Sequence, residues 1–399
     1  MRDNKRAHVV SVEMGYGHLR AARPLTLLAD GGKIITADSY DGIPEGDRLI
    51  WENSTKLYNA VSRMKEKGVL GALIFKSFDY FQRVGGTLPG NSKPTFQLRQ
   101  GHKLIKGGWG RDLVERLNKN PLPLLATFFT IGHMAEHWNY KGPIYVLVTD
   151  ADISRAWAPF RPESSRIIYF APTAAAKERL ISYGVNSKKI FVAGFPLPTE
   201  LVKNAKDNLR RRLGVLRGES GRPATVTFAI GGAGAQSKIA LRVIQSLAPS
   251  IKKGDLTLKI IAGLHKNLGI KLREQVQKSG LENFLNKGIF IIENGTKDDY
   301  FRKFDETIAE TDVLWTKPSE LSFYAGLGLP ILIAPPLGAH EVKNRDWLVK
   351  LGAGIPQGET KEVNRWLPEM IRNGRLAEAA QAGFKKIKRD AVEKIAEIL

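Results

Sequence analysis

An apolar run that ends in a glycine-rich turn and continues as a helix occurs twice in this chain, at residue 9 and again at residue 226. The first is Ala7-His8-Val9-Val10-Ser11-Val12, followed by Glu13-Met14-Gly15-Tyr16-Gly17 and an expected helix over residues 18–28. The second covers residues 225–230, followed by Gly231-Gly232-Ala233-Gly234-Ala235-Gln236 and an expected helix over residues 237–247. Near-continuous apolar strands that feed helices belong to parallel sheets covered on both faces, with right-handed crossovers. At such a turn, unpaired N–H groups and the positive helix terminus point at one spot, and glycine lets an anion approach it. Either turn alone is also the ordinary way to leave a parallel strand. Neither matches the G-x-x-x-x-G-K-[ST] phosphate loop or a full G-x-G-x-x-G fingerprint, because Gly15-Tyr16-Gly17 is followed by Arg20. ATPase and dehydrogenase readings lose ground accordingly.

At about 100–200 residues per domain, 399 residues suit two domains. The recurrence divides them into residues 1–215 and 216–375, with a C-terminal helix over 376–399 that crosses back to the first. Further strands are expected at 123–130, 144–149, 166–171 and 189–193, then at 256–261, 288–292, 312–315 and 330–334. Between residues 38 and 120 the α/β rhythm gives way to helical sequence that interleaves Arg48, Lys56, Lys65, Lys67 and Lys76 with Trp51, Tyr58, Leu70, Phe75 and Trp109. The basic stretch from Arg210 to Arg222 reads as a helix end and linker. The chain has no Cys, which excludes disulfide scaffolds, Cys-zinc sites and thiol nucleophiles. No window has the run of about 18–20 apolar residues of a spanning helix, and the charged N-terminus lacks a secretory core. The expected setting is cytoplasmic, peripheral on the cytoplasmic face of the membrane. With 61 Lys+Arg against 40 Asp+Glu, the net charge of +21 favours a polyanionic partner.

The most specific signal is Leu314-Trp315-Thr316-Lys317-Pro318-Ser319-Glu320-Leu321, then Gly328-Leu329-Pro330-Ile331, then Gly338-Ala339-His340-Glu341-Val342-Lys343-Asn344. Gly17-His18, His133 ahead of a strand, Val148-Thr149-Asp150 with Trp157 downstream, and Gly231-Gly232-Ala233-Gly234 precede it in order. Taken together, the motifs resemble the GT-B glycosyltransferases. They are most similar to the family 28-like branch that holds the lipid II-forming N-acetylglucosaminyltransferase and the monogalactosyldiacylglycerol synthases. The resemblance covers nearly the whole chain apart from the insertion. It implies an α/β fold of two Rossmann-like domains with parallel sheets facing across a cleft. The implied reaction is inverting and metal-independent. It moves a hexose or N-acetylhexosamine from a UDP-sugar to a hydroxyl of a lipid-linked acceptor. The UDP-sugar is a substrate, and no cofactor is implied.

Such a transfer needs a base for the acceptor hydroxyl and stabilisation of a departing diphosphate. His18, at the first turn of a helix whose N-terminus favours a neutral imidazole, is one candidate base. Asp150, at the carboxyl end of a strand, is the other, or it orients the base. Gly15, Gly17, His133 and Trp157 fall on the acceptor side. On the donor side, Gly231, Gly232, Ala233 and Gly234 face the pyrophosphate with Lys317, and Gln236 and Glu320 face hydroxyls. The resemblance adds His340, Glu341 and Asn344 as sugar or phosphate contacts. The interval from Thr316 to Pro330 is about two residues shorter than in the branch, so the usual ribose-binding acid falls opposite Ala325 and Glu320 stands in for it. His340 replaces the branch's Gln. Asp150-Ala151-Asp152 spells a metal-binding D-x-D, which the paired turns and Lys317 make unnecessary. Two rivals remain: a sugar-nucleotide epimerase of the UDP-N-acetylglucosamine 2-epimerase type, and a basic nucleic-acid-binding protein. The second leaves the ordered motifs unexplained.

Overall fold

A computed structural model of the chain describes residues 6–64, 93–231, 234, 236–264 and 266–399. Gly232, Ala233 and residues 65–92, with Lys65, Lys67 and Lys76, lie outside the described residues. The chain divides into two compact units. The first takes Met1–Leu197, Gly338–Lys343 and Arg389–Leu399, and the second takes Pro198–Leu337 and Asn344–Lys388.

The first unit is built on six strands: β1 (His8–Ser11), β2 (Ile35–Thr36), β3 (Leu124–Ala126), β4 (Ile144–Leu147), β5 (Ile168–Ala171) and β6 (Ile190–Val192). Their order is β2-β1-β3-β4-β5-β6, and every pairing is parallel. β1, β3 and β4 are buried along their whole length, as helices on both faces of a parallel sheet require. The second unit holds β7 (Ala224–Ala229), β8 (Leu256–Gly263), β9 (Ile289–Glu293), β10 (Val313–Thr316), β11 (Ile331–Ile333) and β12 (Gly354–Pro356). Their order is β12-β11-β10-β7-β8-β9, again all parallel. Strand order therefore reverses between β1 and β3 in one sheet and between β7 and β10 in the other.

Several local expectations are corrected. The helix at 18–28 is an α-helix only over Gly17–Ala22 and continues as a 3-10 helix over Arg23–Leu28, because Pro24 has no N–H to donate back. The strand at 123–130 ends at Ala126, and Phe129–His137 is a helix, so His133 sits on a helix and not ahead of a strand. The stretch at 210–222 is not a linker. Arg212, on the helix Ala205–Leu216, is 1% exposed inside the second unit, and Arg222 makes a two-pronged ion pair with fully buried Asp312 at 2.8 and 2.8 Å. The helix at 376–399 breaks into Arg375–Lys386 and Ala391–Ile398, which belong to the second and first units respectively. Trp51 and Trp109 of the insertion are core residues, 3% and 6% exposed, with rings edge to face at 4.7 Å. Among the described residues, no helix is long and apolar enough to cross a membrane.

Candidate functional site

Open parallel sheets bind ligands beyond the carboxyl ends of their strands, at the point where strand order reverses. In the first unit that point lies between β1 and β3, and His18 occupies it. Its Nδ1 lies 2.8 Å from the carbonyl of Thr127, the residue that follows β3. A carbonyl only accepts, so Nδ1 carries a hydrogen, and whenever the ring is neutral its lone pair is on Nε2. The Thr127 hydroxyl donates to Ser11 Oγ at 2.9 Å, tying the ends of β3 and β1 together beneath the imidazole. Phe128 meets the His18 ring edge to face at 4.8 Å, and Trp157 lies 6.5 Å away. Gly15, at φ +81°, takes the backbone conformation that turns the chain from β1 toward Gly17, where the helix begins.

Asp150 follows β4, the neighbour of β3, on the same edge of the sheet. Asp152 is committed elsewhere: its two carboxylate oxygens accept from Arg179 at 2.9 and 2.9 Å. The D-x-D therefore does not offer two carboxylates to one cation. Among the described residues, no group of three or more His, Asp or Glu is arranged to hold a metal ion.

Trp157 also anchors His133. The Trp157 backbone carbonyl accepts from the His133 ring and from the Tyr169 hydroxyl at 3.0 Å. The residue as a whole is only half-buried, but its Nε2 is fully buried and without a hydrogen-bond partner. Burial first, then the charges of Arg155 and His102, push this histidine down to about 3. The unfolded chain takes up the proton near the ordinary value of 6.5 and the folded chain does not. Stability from this group is therefore complete above pH 6.5 and is lost as pH falls toward 3. Between pH 7.5 and pH 5 the loss is about 2 kcal/mol. His133→Asn, whose amide can still reach the Trp157 carbonyl, is expected to lose that much less than wild type over the same interval in urea unfolding. Equal losses would show that His133 titrates in the folded protein.

In the second unit the reversal point joins the glycine-rich turn to the end of β10. Gly231 and Gly234 take φ of +82° and +69°, and the Gly234 N–H donates back to the Gly231 carbonyl at 3.2 Å before the helix Ser237–Lys253 begins. A Cβ on Gly231 would lie 3.5 Å from Lys317 Cε, so the lysine stem runs beside the turn. β7 and β10 hold this arrangement in register, with Ala229 opposite Thr316.

Other donor-side residues take positions the sequence reading did not foresee. Gln236 is 1% exposed and donates to the Pro335 carbonyl at 3.3 Å, which makes it a strut between the turn and the end of β11. Asn344 is fully buried and donates to the Pro318 carbonyl at 3.1 Å, so it supports the Lys317–Pro318 loop. Glu341 is 1% exposed, while the His340 side chain, 4.0 Å from it, is 32% exposed. Glu320 opens a 3-10 helix, Glu320–Leu327. At about 2.0 Å per residue its eight residues span about 16 Å, a distance an α-helix covers with about eleven. Arg212 was missed as a structural residue. The available signal was its place on the same face as Ala205, Leu209 and Leu216, at helical spacing.

A family described as "Domain of unknown function (DUF6938)" matches residues 185–290, well under half of the chain. The search of curated proteins gives no match. Among solved structures, the chain is similar to the UDP-GlcNAc 2-epimerase of Neisseria meningitidis, bound to UDP-GlcNAc. The identity is 16% and the TM-score 0.50, covering 77% of this chain and 82% of that one. A Listeria monocytogenes protein assigned as a UDP-N-acetylglucosamine 2-epimerase gives 16% identity and a TM-score of 0.51, covering 74% and 76%. MurG of Acinetobacter baumannii gives 13% and 0.48, covering 79% and 81%. At these identities the likeness is one of fold. Two six-stranded parallel sheets, each with its own reversal point, give this chain an α/β fold of the GT-B kind.

Proposed function

We propose that the protein is a UDP-sugar-dependent glycosyltransferase that moves a hexose or N-acetylhexosamine to a hydroxyl of a lipid-linked acceptor. The observation that supports it best is the pairing of chemistries at the two reversal points. One carries a histidine with its lone pair on Nε2, and the other carries a glycine turn beside a lysine. His18 Nε2 takes the acceptor hydroxyl's proton as that oxygen bonds to C1 of the sugar. The C1–O bond to the diphosphate breaks on the opposite face, so the configuration inverts. The charge left on the diphosphate is met by Lys317 and the N–H groups of the turn. Asp150 orients the acceptor or the base. The reaction is written without a metal because Asp152 is held by Arg179.

A thermal-shift panel of UDP, UDP-sugars, NAD and ATP tests the class. UDP at 100 times its dissociation constant is expected to add about 2.7 kcal/mol, and NAD and ATP nothing. Glu320→Ala should weaken UDP by about 1.5–3 kcal/mol, the range for hydrogen bonds to a charged group. Wild-type affinity in that variant would reduce Glu320 to a helix-start carboxylate. A second reading, a sugar-nucleotide epimerase, takes its support from the names of the Neisseria and Listeria fold neighbours. Inversion at C2 of UDP-GlcNAc in the absence of any acceptor would establish it in place of transfer.

The lipid-linked acceptor places the enzyme on the cytoplasmic face of an anionic membrane. The net charge of +21 supports this. So does the helix Phe96–Lys106, which exposes Phe96 and Leu104 at 58% and 43% beside Arg99, Lys103 and Lys106. Trp51 and Trp109 do not contribute, since both lie in the core. Binding to anionic vesicles that fades at high salt is expected, with little binding to neutral ones. The set Lys65→Glu, Lys67→Glu and Lys76→Glu should reduce it and leave UDP binding intact. Equal vesicle binding by wild type and triple variant would remove the membrane role of that stretch.

A further inference from the structure

A cavity of about 450 Å³ opens within the first unit between the helix Phe96–Lys106, the helix Phe129–His137 and residues 156–166. One wall belongs to the insertion. Phe129 lines the cavity and packs 5.3 Å from Trp157, the ring that neighbours His18, so two aromatic side chains separate the cavity from the candidate base.

Its charged lining is Lys106, Arg161 and Arg166 against Glu136 alone. Glu136 is engaged, with Oε1 accepting from Ser165 Oγ and the Arg166 backbone N–H at 2.8 Å each. The Arg166 guanidinium is turned to the carbonyls of Tyr140 and Gly142. Lys106 and Arg161 line the cavity together with His102; burial first, then the charges of Lys106, His137 and Arg161, hold its imidazole below the ordinary histidine range. The His102 ring is fixed by flat stacking on Phe160 at 4.2 Å. Three nitrogen-bearing side chains, His102 and Lys106 from the helix Phe96–Lys106 and Arg161 from the facing segment, therefore line one cavity, a number of donors that suits a phosphoryl group better than the two oxygens of a carboxylate.

The same cavity makes the opposite demand at its wall. His133 donates one ring N–H to the Trp157 carbonyl, which leaves a lone pair on Nε2 that is buried and unmatched. A buried acceptor without a donor costs about 1–3 kcal/mol, which a ligand hydroxyl would relieve. We propose that the cavity binds a phosphate ester bearing a free hydroxyl, with its phosphoryl oxygens on Lys106, Arg161 and His102 and its hydroxyl donating to His133 Nε2. A free polyol phosphate and the headgroup of a phosphatidylglycerol lipid both have this chemistry. The site's existence does not depend on the donor reading of the second unit.

Calorimetric titration of the full chain tests it, with glycerol 3-phosphate and inorganic phosphate as probes at a pH where both are dianions. Glycerol 3-phosphate is expected to bind about three- to tenfold more tightly, the worth of one hydrogen bond. His133→Asn keeps the donor to Trp157 and lacks Nε2, so it should bring the two affinities together. Lys106→Glu with Arg161→Glu, both exposed positions, should weaken both probes by more than tenfold and leave UDP binding unchanged. Phosphatidylglycerol vesicles that compete with glycerol 3-phosphate would identify a lipid headgroup as the source, and no competition a free phosphate ester. Absence of binding by both small probes and the vesicles, or unchanged affinity in the charge-reversed pair, would overturn the proposal. Loss of UDP binding by wild type with glycerol 3-phosphate binding intact would count against the glycosyltransferase reading and not against this site.

Discussion

Replacing Arg212 by methionine is expected to lower the unfolding free energy of the second unit by about 3–5 kcal/mol, the largest stability effect we anticipate for a single substitution. The guanidinium is fully enclosed and donates to the carbonyls of Thr311 at 2.6 Å, Leu327 at 2.8 Å and Gly328 at 3.2 Å. These carbonyls belong to the end of one helix and the end of the 3-10 helix that follows Lys317, so one side chain closes both. Methionine fills similar volume and offers no donor, which leaves buried carbonyls unmatched. Burial is also what draws the arginine down to about 10, with the charge of Arg211 acting in the same direction and Asp312 opposing it. Lysine has one compact donor group and cannot span the three carbonyls, so Arg212→Lys should retain only part of the stability. Urea unfolding measures both variants, and a methionine variant within about 1 kcal/mol of wild type would mean that water replaces the lost donors.

His18→Ala is expected to reduce turnover by at least about 100-fold, the lower range for a general base, with UDP affinity unchanged because the glycine turn and Lys317 belong to the other unit. The Thr127 contact makes a sharper version possible. His18→Asn can keep a donor on that carbonyl and has no atom at the Nε2 position, so it should fall as far as alanine. If asparagine restores activity, the ring's role is to position Thr127. If both variants stay active while Asp150→Asn is inactive, the base is Asp150, one strand further along the same edge.

Much of the fold was legible because its determinants are local. The apolar runs that became β1 and β7, and the glycines after them, specify strand, turn and helix within about a dozen residues of chain. Gly15, Gly231 and Gly234 all take positive φ, as a turn leaving a parallel strand suggests. The weaker expectations failed where local sequence is ambiguous. β12 is only Gly354-Ile355-Pro356, too short to show a period, and it becomes a strand because β11 lies beside it with Ile331 opposite Gly354. Nothing within residues 320–327 distinguishes an α-helix from the 3-10 helix that forms there.

Function-bearing geometry divides the same way. The sequence by itself determined that two α/β units would each carry a glycine turn and that a histidine would follow the first. Local chemistry suffices for that. Only the tertiary structure decided what those residues do to one another. His18 acquires its tautomer from a carbonyl 109 positions away. Asn344 becomes a support for the Lys317–Pro318 loop because Pro318, 26 positions earlier, offers it an acceptor. Arg212 turns from an apparent linker charge into a buried clasp through carbonyls 99 to 116 positions downstream. Hydrogen-bond direction, burial and charge are properties of neighbours in space. Where sheet order brings distant segments together, those neighbours are set by the packing of the whole unit and not by the residues on either side.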